Sequence, residues 1–98
     1  MFTLKFSGFE PDTKLLDDIY ISSNSVYNAL PIDSDLNVTL TQSPQKDLFR
    51  CIVQFNSLWG HSEAHESWIN PKQALHAALV SISDDIKALR TSIKSIVS

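Results

Sequence analysis

A run of aliphatic residues at helical spacing fills the C-terminal part of this 98-residue chain. Asn70 and Pro71 precede it, and they suit the N-cap and the first position of a helix. No Gly or Pro follows Pro71 to interrupt the pattern. The sequence therefore predicts one amphipathic helix of about 26 residues, about 39 Å long. Its apolar seam consists of Leu75, Leu79, Ile82, Ile86, Leu89, Ile93 and Ile96.

This predicted helix is longer than the sheet that would support it. A strand of a small sheet spans only about 20 Å, so the last two helical turns extend past the domain. Ile93 and Ile96 lie on those turns. They either need a partner that buries them, or the helix end frays.

Four segments alternate apolar and polar residues with a period of two, which is typical of half-buried strands. The first covers residues 2–6, the second 36–41 and the third 49–55, and a fourth is predicted from Leu58 to Trp68. Helical spacing predicts another helix over residues 11–29, with Pro11 in its first turn and Pro31 at its end. The apolar sides of the first three strands hold Phe2, Leu4 and Phe6, then Leu36, Val38 and Leu40, then Phe49, Cys51, Val53 and Phe55.

The resulting order is β-α-β-β-β-α. Short connections between the last three strands predict an antiparallel meander, and both helices then cover one face of the sheet. We expect an α+β two-layer sandwich with a mostly antiparallel four-stranded sheet, formed by residues 1–98 as one domain. The other face of the sheet is left to water or to a partner.

Composition and motifs exclude several classes of protein. A single Cys excludes an internal disulfide framework and a Cys-rich zinc site, and Cys51 is predicted to be buried and inert. The chain has no Ser-His-Asp pattern, phosphate loop or dinucleotide fingerprint. We therefore expect no enzyme activity, no metal and no cofactor. No apolar run is long enough to span a membrane, and the N-terminal residues lack a secretory pattern, so we expect a cytoplasmic protein without a membrane partner.

His61, Glu63 and His65 are the residues that are competent to bind a metal. On a strand they share one face, with alternate side chains about 6–7 Å apart. The two His residues are then about 13 Å apart and cannot share an ion without bending of the strand. A solvated polar strand is the preferred interpretation, and a small enzyme built on these residues ranks below it.

The net charge of −3 does not indicate a general nucleic-acid-binding protein, but the charges are unevenly distributed. Residues 1–49 hold three Lys and seven acidic residues, whereas residues 50–98 hold five basic and four acidic residues. Lys87, Arg90 and Lys94 lie on one stripe of the second helix. They either complement the helix dipole or contact phosphate groups. Lys72 and Arg50 extend such a phosphate-binding surface if the fold brings them near.

The two Trp residues flank the fourth strand. Alternation predicts that Trp59 and Trp68 point to opposite faces of the sheet. One is then expected in the core, and the other is an exposed anchor for a partner.

The element order and several short motifs resemble the ribosome hibernation-promoting factor family, which includes the ribosome-associated inhibitor and the sigma-modulation proteins. The opening residues 4–8, with Thr13 and the pair Leu15-Leu16, are similar to that family's first strand and helix entry. Residues 75–79, Leu-His-Ala-Ala-Leu, are similar to the start of its second helix. Family members carry many Lys and Arg residues on both helices, whereas the first helix here has more acidic than basic residues.

The resemblance implies a factor that binds the small ribosomal subunit between its head and body and represses translation in resting cells. The RNA-binding residues would be Lys87, Arg90, Lys94, Lys72 and Arg50. The alternative is an acidic protein-protein interaction module that keeps the fold without binding RNA. Its partner would be a regulatory protein or a second copy, held through the second helix or the open sheet face.

Overall fold

The computed structural model describes residues 1–30, 33–45, 47–58 and 60–97, and of residues 92–97 it describes the backbone alone. Four strands and two helices follow one another in the predicted order. Along the chain they are β1 (Phe2–Ser7), α1 (Thr13–Asn28), β2 (Asp35–Gln42), β3 (Phe49–Ser57), β4 (Gly60–Trp68) and α2 (Pro71–Val97).

The strands form one sheet in the order β1-β2-β3-β4. β1 runs parallel to β2, with Phe2 opposite Leu36, and α1 provides the crossover that two parallel strands require. β2 with β3 and β3 with β4 pair antiparallel. The predicted α+β sandwich with an antiparallel meander is therefore confirmed.

The core lies between one face of the sheet and the two helices. The alternation read from the sequence is correct, because Leu36, Val38 and Leu40 of β2 are buried on this side, as are Cys51, Val53 and Phe55 of β3. From the sheet the buried residues are Leu36, Val38, Leu40, Cys51, Val53, Phe55 and Ala64, and from the helices they are Ile19, Ala74, Leu75, Ala78, Leu79, Ile82 and Ile86.

The first helix begins later than predicted. Asp12 has an extended backbone, and its carboxylate accepts a hydrogen bond from the N–H of Leu15 at 2.8 Å. This makes Asp12 the N-cap, so α1 starts at Thr13 rather than at residue 11. It ends at Asn28, and Pro31, the predicted stop, lies outside the described residues.

The fourth strand also begins later than predicted, at Gly60 instead of Leu58. Leu58 is 91% exposed because it lies in the turn that joins β3 to β4. Gly60 has a positive φ of 132°, a conformation that favours Gly. Leu58, which strict alternation assigned to the strand, therefore belongs to this turn.

The second helix extends beyond the sheet, as predicted. A Cβ atom at Gly60, the first residue of β4, would lie 3.4 Å from Leu89 Cδ2. Leu89 therefore lies level with the end of the strand, where the sheet stops. The backbone stays helical from there to Val97, about 12 Å further. The need of Ile93 and Ile96 for a partner stays a prediction, because their side chains lie outside the described ones. Neither described helix is both long enough and apolar enough to cross a membrane.

Candidate nucleic-acid interface

A groove separates α1 and α2 on the outer side of the helical layer. Both helices run in the same direction, because residues early in α1 line the groove with residues early in α2, and late with late. The α1 side is a stripe of small side chains and one acid, spaced four, three and four residues apart. Its members are Asp18, Ser22, Ser25 and Ala29, and the α2 side presents Lys72, His76, Ser83, Lys87 and Arg90.

At one end of this groove the charges are paired. Lys72 Nζ lies 2.6 Å from Asp18 Oδ2, and both side chains are about half exposed. The hydrogen bond and charge of Lys72 hold the pKa of Asp18 below its ordinary value. The depression here has a volume of about 210 Å³. Lys72 therefore has a neighbouring acid that competes with any outside anion.

At the other end the cations have no such partner. Lys87 and Arg90 line a depression of about 280 Å³, together with residues of the last turns of α1. From Ile19 to Leu30 the sequence holds no charged residue at all. Neither Lys87 nor Arg90 forms an ion pair with a side chain that the structure describes. This end of the groove is a concave surface that carries positive charge.

The structure brings together some of the predicted RNA-binding residues and separates others. Lys94 continues the stripe of Lys87 and Arg90 along the α2 backbone, and its side chain lies outside the described ones. Lys72 is on the same side of α2, about 22 Å from Lys87 along the helix. Arg50 lies on the opposite face of the sheet, paired with Thr41 and Ser67 in register. The sheet thus lies between Arg50 and the helices that form the groove.

The open sheet face carries the metal-competent residues. His61, Glu63 and His65 lie on it in alternating positions of β4, as predicted. His65 Nε2 contacts Glu63 Oε1, and Gln54 donates a hydrogen bond to Glu63 Oε2 at 3.4 Å. Within the described part of the chain, no three His, Cys, Asp or Glu residues cluster closely enough to hold a metal ion.

Cys51 is fully buried in β3, which confirms its predicted place in the core. Burial raises the pKa of its thiol to about 12. A thiol with such a pKa stays protonated near neutral pH, and the thiolate is the nucleophilic form. Cys51 therefore acts as a small apolar side chain.

Trp68 is exposed over 45% of its surface, and Trp59 lies outside the described residues. The prediction that one Trp is exposed is confirmed by Trp68. Its surroundings were not predicted from the sequence, because they depend on how α2 turns back over β4. The ion pair of Asp18 with Lys72 was not predicted either, because it depends on how α1 packs against α2.

The sequence matches no family model and no curated protein. Two solved structures share its fold. The first is the N-terminal domain of Protein Y from Thermus thermophilus, with a TM-score of 0.71 and 14% identity, over 88% of this chain and 93% of that one. The second is a ribosomal subunit interface protein from Coxiella burnetii, with a TM-score of 0.69 and 5% identity, over 93% of this chain and 99% of that one. The chain therefore has the fold of these two proteins along nearly its whole described length, which is the fold that the family resemblance implied.

Proposed function

We propose that this chain is a non-enzymatic, ribosome-associated factor that binds RNA of the small ribosomal subunit and represses translation. The observation that carries the proposal is the positive end of the helix groove, where Lys87 and Arg90 form no ion pair with any described side chain. The fold shared with a ribosomal subunit interface protein supports the same assignment.

Phosphate groups are the natural ligands of such a surface. Lys and Arg side chains bind phosphate oxygens by charge-assisted hydrogen bonds, and neutralised phosphates release counterions. Lys94 continues the stripe on the part of α2 that extends past the sheet. The basic residues of α2 thus lie along a helix that extends beyond the sheet.

The acidic total charge is compatible with this proposal because no acidic residue is among the described residues that line the Lys87 end of the groove. Asp84 and Asp85 precede Lys87 on α2 but do not line the groove, and Asp85 accepts a hydrogen bond from Ser62 at 2.6 Å.

The acidic residues of α1, Asp17 and Asp18, are in its first turns, and one of them already pairs with Lys72. Salt screens exposed charges over about 10 Å. Lys87 and Arg90 are separated from the Asp18 end of the groove by more than that distance along α2.

In this proposal Lys87, Arg90 and Lys94 make the main phosphate contacts, and Lys72 an auxiliary one. Arg50 would contact RNA only where the ligand also reaches the open sheet face. Repression of translation would follow from steric exclusion, because a protein bound between the head and body of the subunit occupies the space of tRNA and mRNA.

The direct test is cosedimentation of the purified chain with small ribosomal subunits. The double variant Lys87→Glu/Arg90→Glu reverses both charges at the groove end, and we expect it to lose binding at low and at physiological salt. The matched control is Lys5→Glu/Lys14→Glu, which changes the net charge equally at two exposed residues that do not line the groove. We expect the control to retain most of the binding.

Equal loss in both double variants would mean that total charge, rather than the groove, governs association. Retained binding in Lys87→Glu/Arg90→Glu, even with Lys94→Glu added, would contradict the proposed mechanism. An in vitro translation assay with the same variants separates binding from repression. Wild-type protein that binds but does not slow translation would contradict repression alone.

A protein-interaction module is the second candidate, favoured by the helical backbone of α2 that extends past the sheet without a described neighbour. It predicts a homodimer or a complex through α2 or the open sheet face. Light scattering at high protein concentration tests self-association. A strictly monomeric chain that captures no protein partner would remove this candidate.

A further inference from the structure

Trp68 forms an exposed aromatic wall immediately before α2. Almost half of its surface is accessible, although Trp residues are usually well buried. It borders an open depression of about 370 Å³. The remaining walls come from the first two turns of α2, namely Lys72, Gln73, His76 and Ala77.

This depression adjoins the groove between the helices. Lys72 and His76 line both sites, so they form the ridge between them. An RNA strand that followed the groove from Lys87 toward the start of α2 would cross this ridge to reach Trp68. Its path would pass from unpaired cations at one end to an aromatic face at the other.

The chemistry of the depression suits a nucleobase. Nucleobases stack on exposed aromatic side chains, and a nearby cation holds the phosphate of the same nucleotide. The amide of Gln73 and the ring of His76 can hydrogen-bond to the edge of a base. Ala77 carries only a methyl group, which leaves the space beside Trp68 open. Bases in a duplex are already stacked on each other, so only an unpaired nucleotide fits this arrangement.

We propose that Trp68 is a stacking platform for an unpaired nucleotide of the bound RNA. This inference rests on the proposed function and adds to it the form of RNA that the site would bind, which is single-stranded. It also assigns a role to a residue outside the predicted basic stripe.

The test is binding of a short labelled oligouridylate to the full chain, measured by fluorescence anisotropy. Trp68→Ala is expected to weaken the affinity roughly 5- to 150-fold, the range for loss of one base–aromatic stack. Trp68→Phe keeps an aromatic face and is expected to stay within about threefold of wild type. The matched control is Ile69→Ala, because Ile69 is 78% exposed next to Trp68 and does not line the depression.

A second readout follows Trp68 itself. The chain has two Trp residues, so Trp59→Phe leaves Trp68 as the only one. Stacking of a base on its ring is expected to quench its fluorescence during the titration. Circular dichroism of each variant verifies the fold, and the Trp68→Phe variant tests the aromatic face even if Trp68→Ala unfolds.

Three results would overturn the platform. The first is that wild type does not bind the oligouridylate, or that Trp68→Ala binds it with unchanged affinity. If wild type still cosediments with the small subunit, this result leaves the proposed function intact. An equal loss in Ile69→Ala would indicate a general apolar docking face instead of base stacking. Failure of wild type to bind both the oligouridylate and the subunit would overturn the platform together with the proposed function.

Discussion

Ser23 places a hydroxyl group in the core beneath α1. Its side chain is fully buried, and its Oγ has no hydrogen-bond partner among the described residues. A buried hydroxyl without a partner costs about 1–3 kcal/mol of desolvation. The segment Ser22-Ser23-Asn24-Ser25 also has weak helix propensity, so the burial of Ile19 and its neighbours must hold this part of α1 in place.

We therefore expect Ser23→Ala to raise the free energy of unfolding by about 1 kcal/mol, since it removes an unpaired hydroxyl and improves helix propensity. Urea denaturation followed by circular dichroism measures the change. Ser22→Ala is the matched control, because it brings the same gain in helix propensity at a solvent-exposed position. A Ser23→Ala variant that gains no more than Ser22→Ala would show that the hydroxyl is satisfied in solution.

The residues of the candidate site differ in how far the sequence determines them. The 3-and-4 spacing of Lys87, Arg90 and Lys94 places them on one helix stripe without knowledge of the fold. Arg50 alternates with buried Cys51, which already assigns it to the face away from the helices. The uncharged α1 side beside Lys87 could not be predicted, because it depends on which turn of α1 packs there.

At the scale of elements, Asp18 and Lys72 form an ion pair that joins the beginning of α1 to the beginning of α2. The pKa of Asp18 is lowered in the native state, so that state binds a proton less readily than the unfolded chain. The pair therefore adds stability above the ordinary carboxyl pKa of 3.8, and this contribution is lost as the pH falls through the lower native pKa.

For Asp18→Asn we expect a small loss of stability at neutral pH that disappears in acid, because the wild-type carboxylate is then protonated as well. The effect is small since both side chains are partly solvated. Urea denaturation of both proteins at neutral and acidic pH measures it. The matched variant is Asp17→Asn, because the carboxylate of Asp17 forms no ion pair with a described side chain. A deficit in Asp18→Asn that persists unchanged in acid would contradict the role of the ion pair.

The elements themselves follow closely from the sequence, and their ends do not. Alternation and helical spacing identify all four strands and both helices because each element buries one face. The predicted starts of α1 and β4 were wrong by two residues each. The hydrogen bond that Asp12 accepts as the N-cap and the turn before Gly60 set these starts instead of the apolar pattern. Such local hydrogen bonds and turns are decided by geometry that periodicity does not contain.

The whole molecule combines an acidic net charge with a localised positive surface. The net charge of −3 does not reflect the charges along the helix groove. Lys72 is ion-paired at one end, whereas Lys87 and Arg90 at the other end form no ion pair with a described side chain. Fold similarity at 5–14% identity reflects the common arrangement of strands and helices rather than common surface residues. Function must therefore be tested at the surface of this chain.

The central claim is that Lys87 and Arg90 bind RNA phosphates, and the salt dependence of small-subunit binding tests it most directly. Each neutralised phosphate contributes to the slope of log affinity against log salt. For Lys87→Ala/Arg90→Ala we predict a slope shallower by about 2 than that of wild type, with weaker binding at every salt concentration. An unchanged slope, or wild-type binding that does not respond to salt, would contradict the claim.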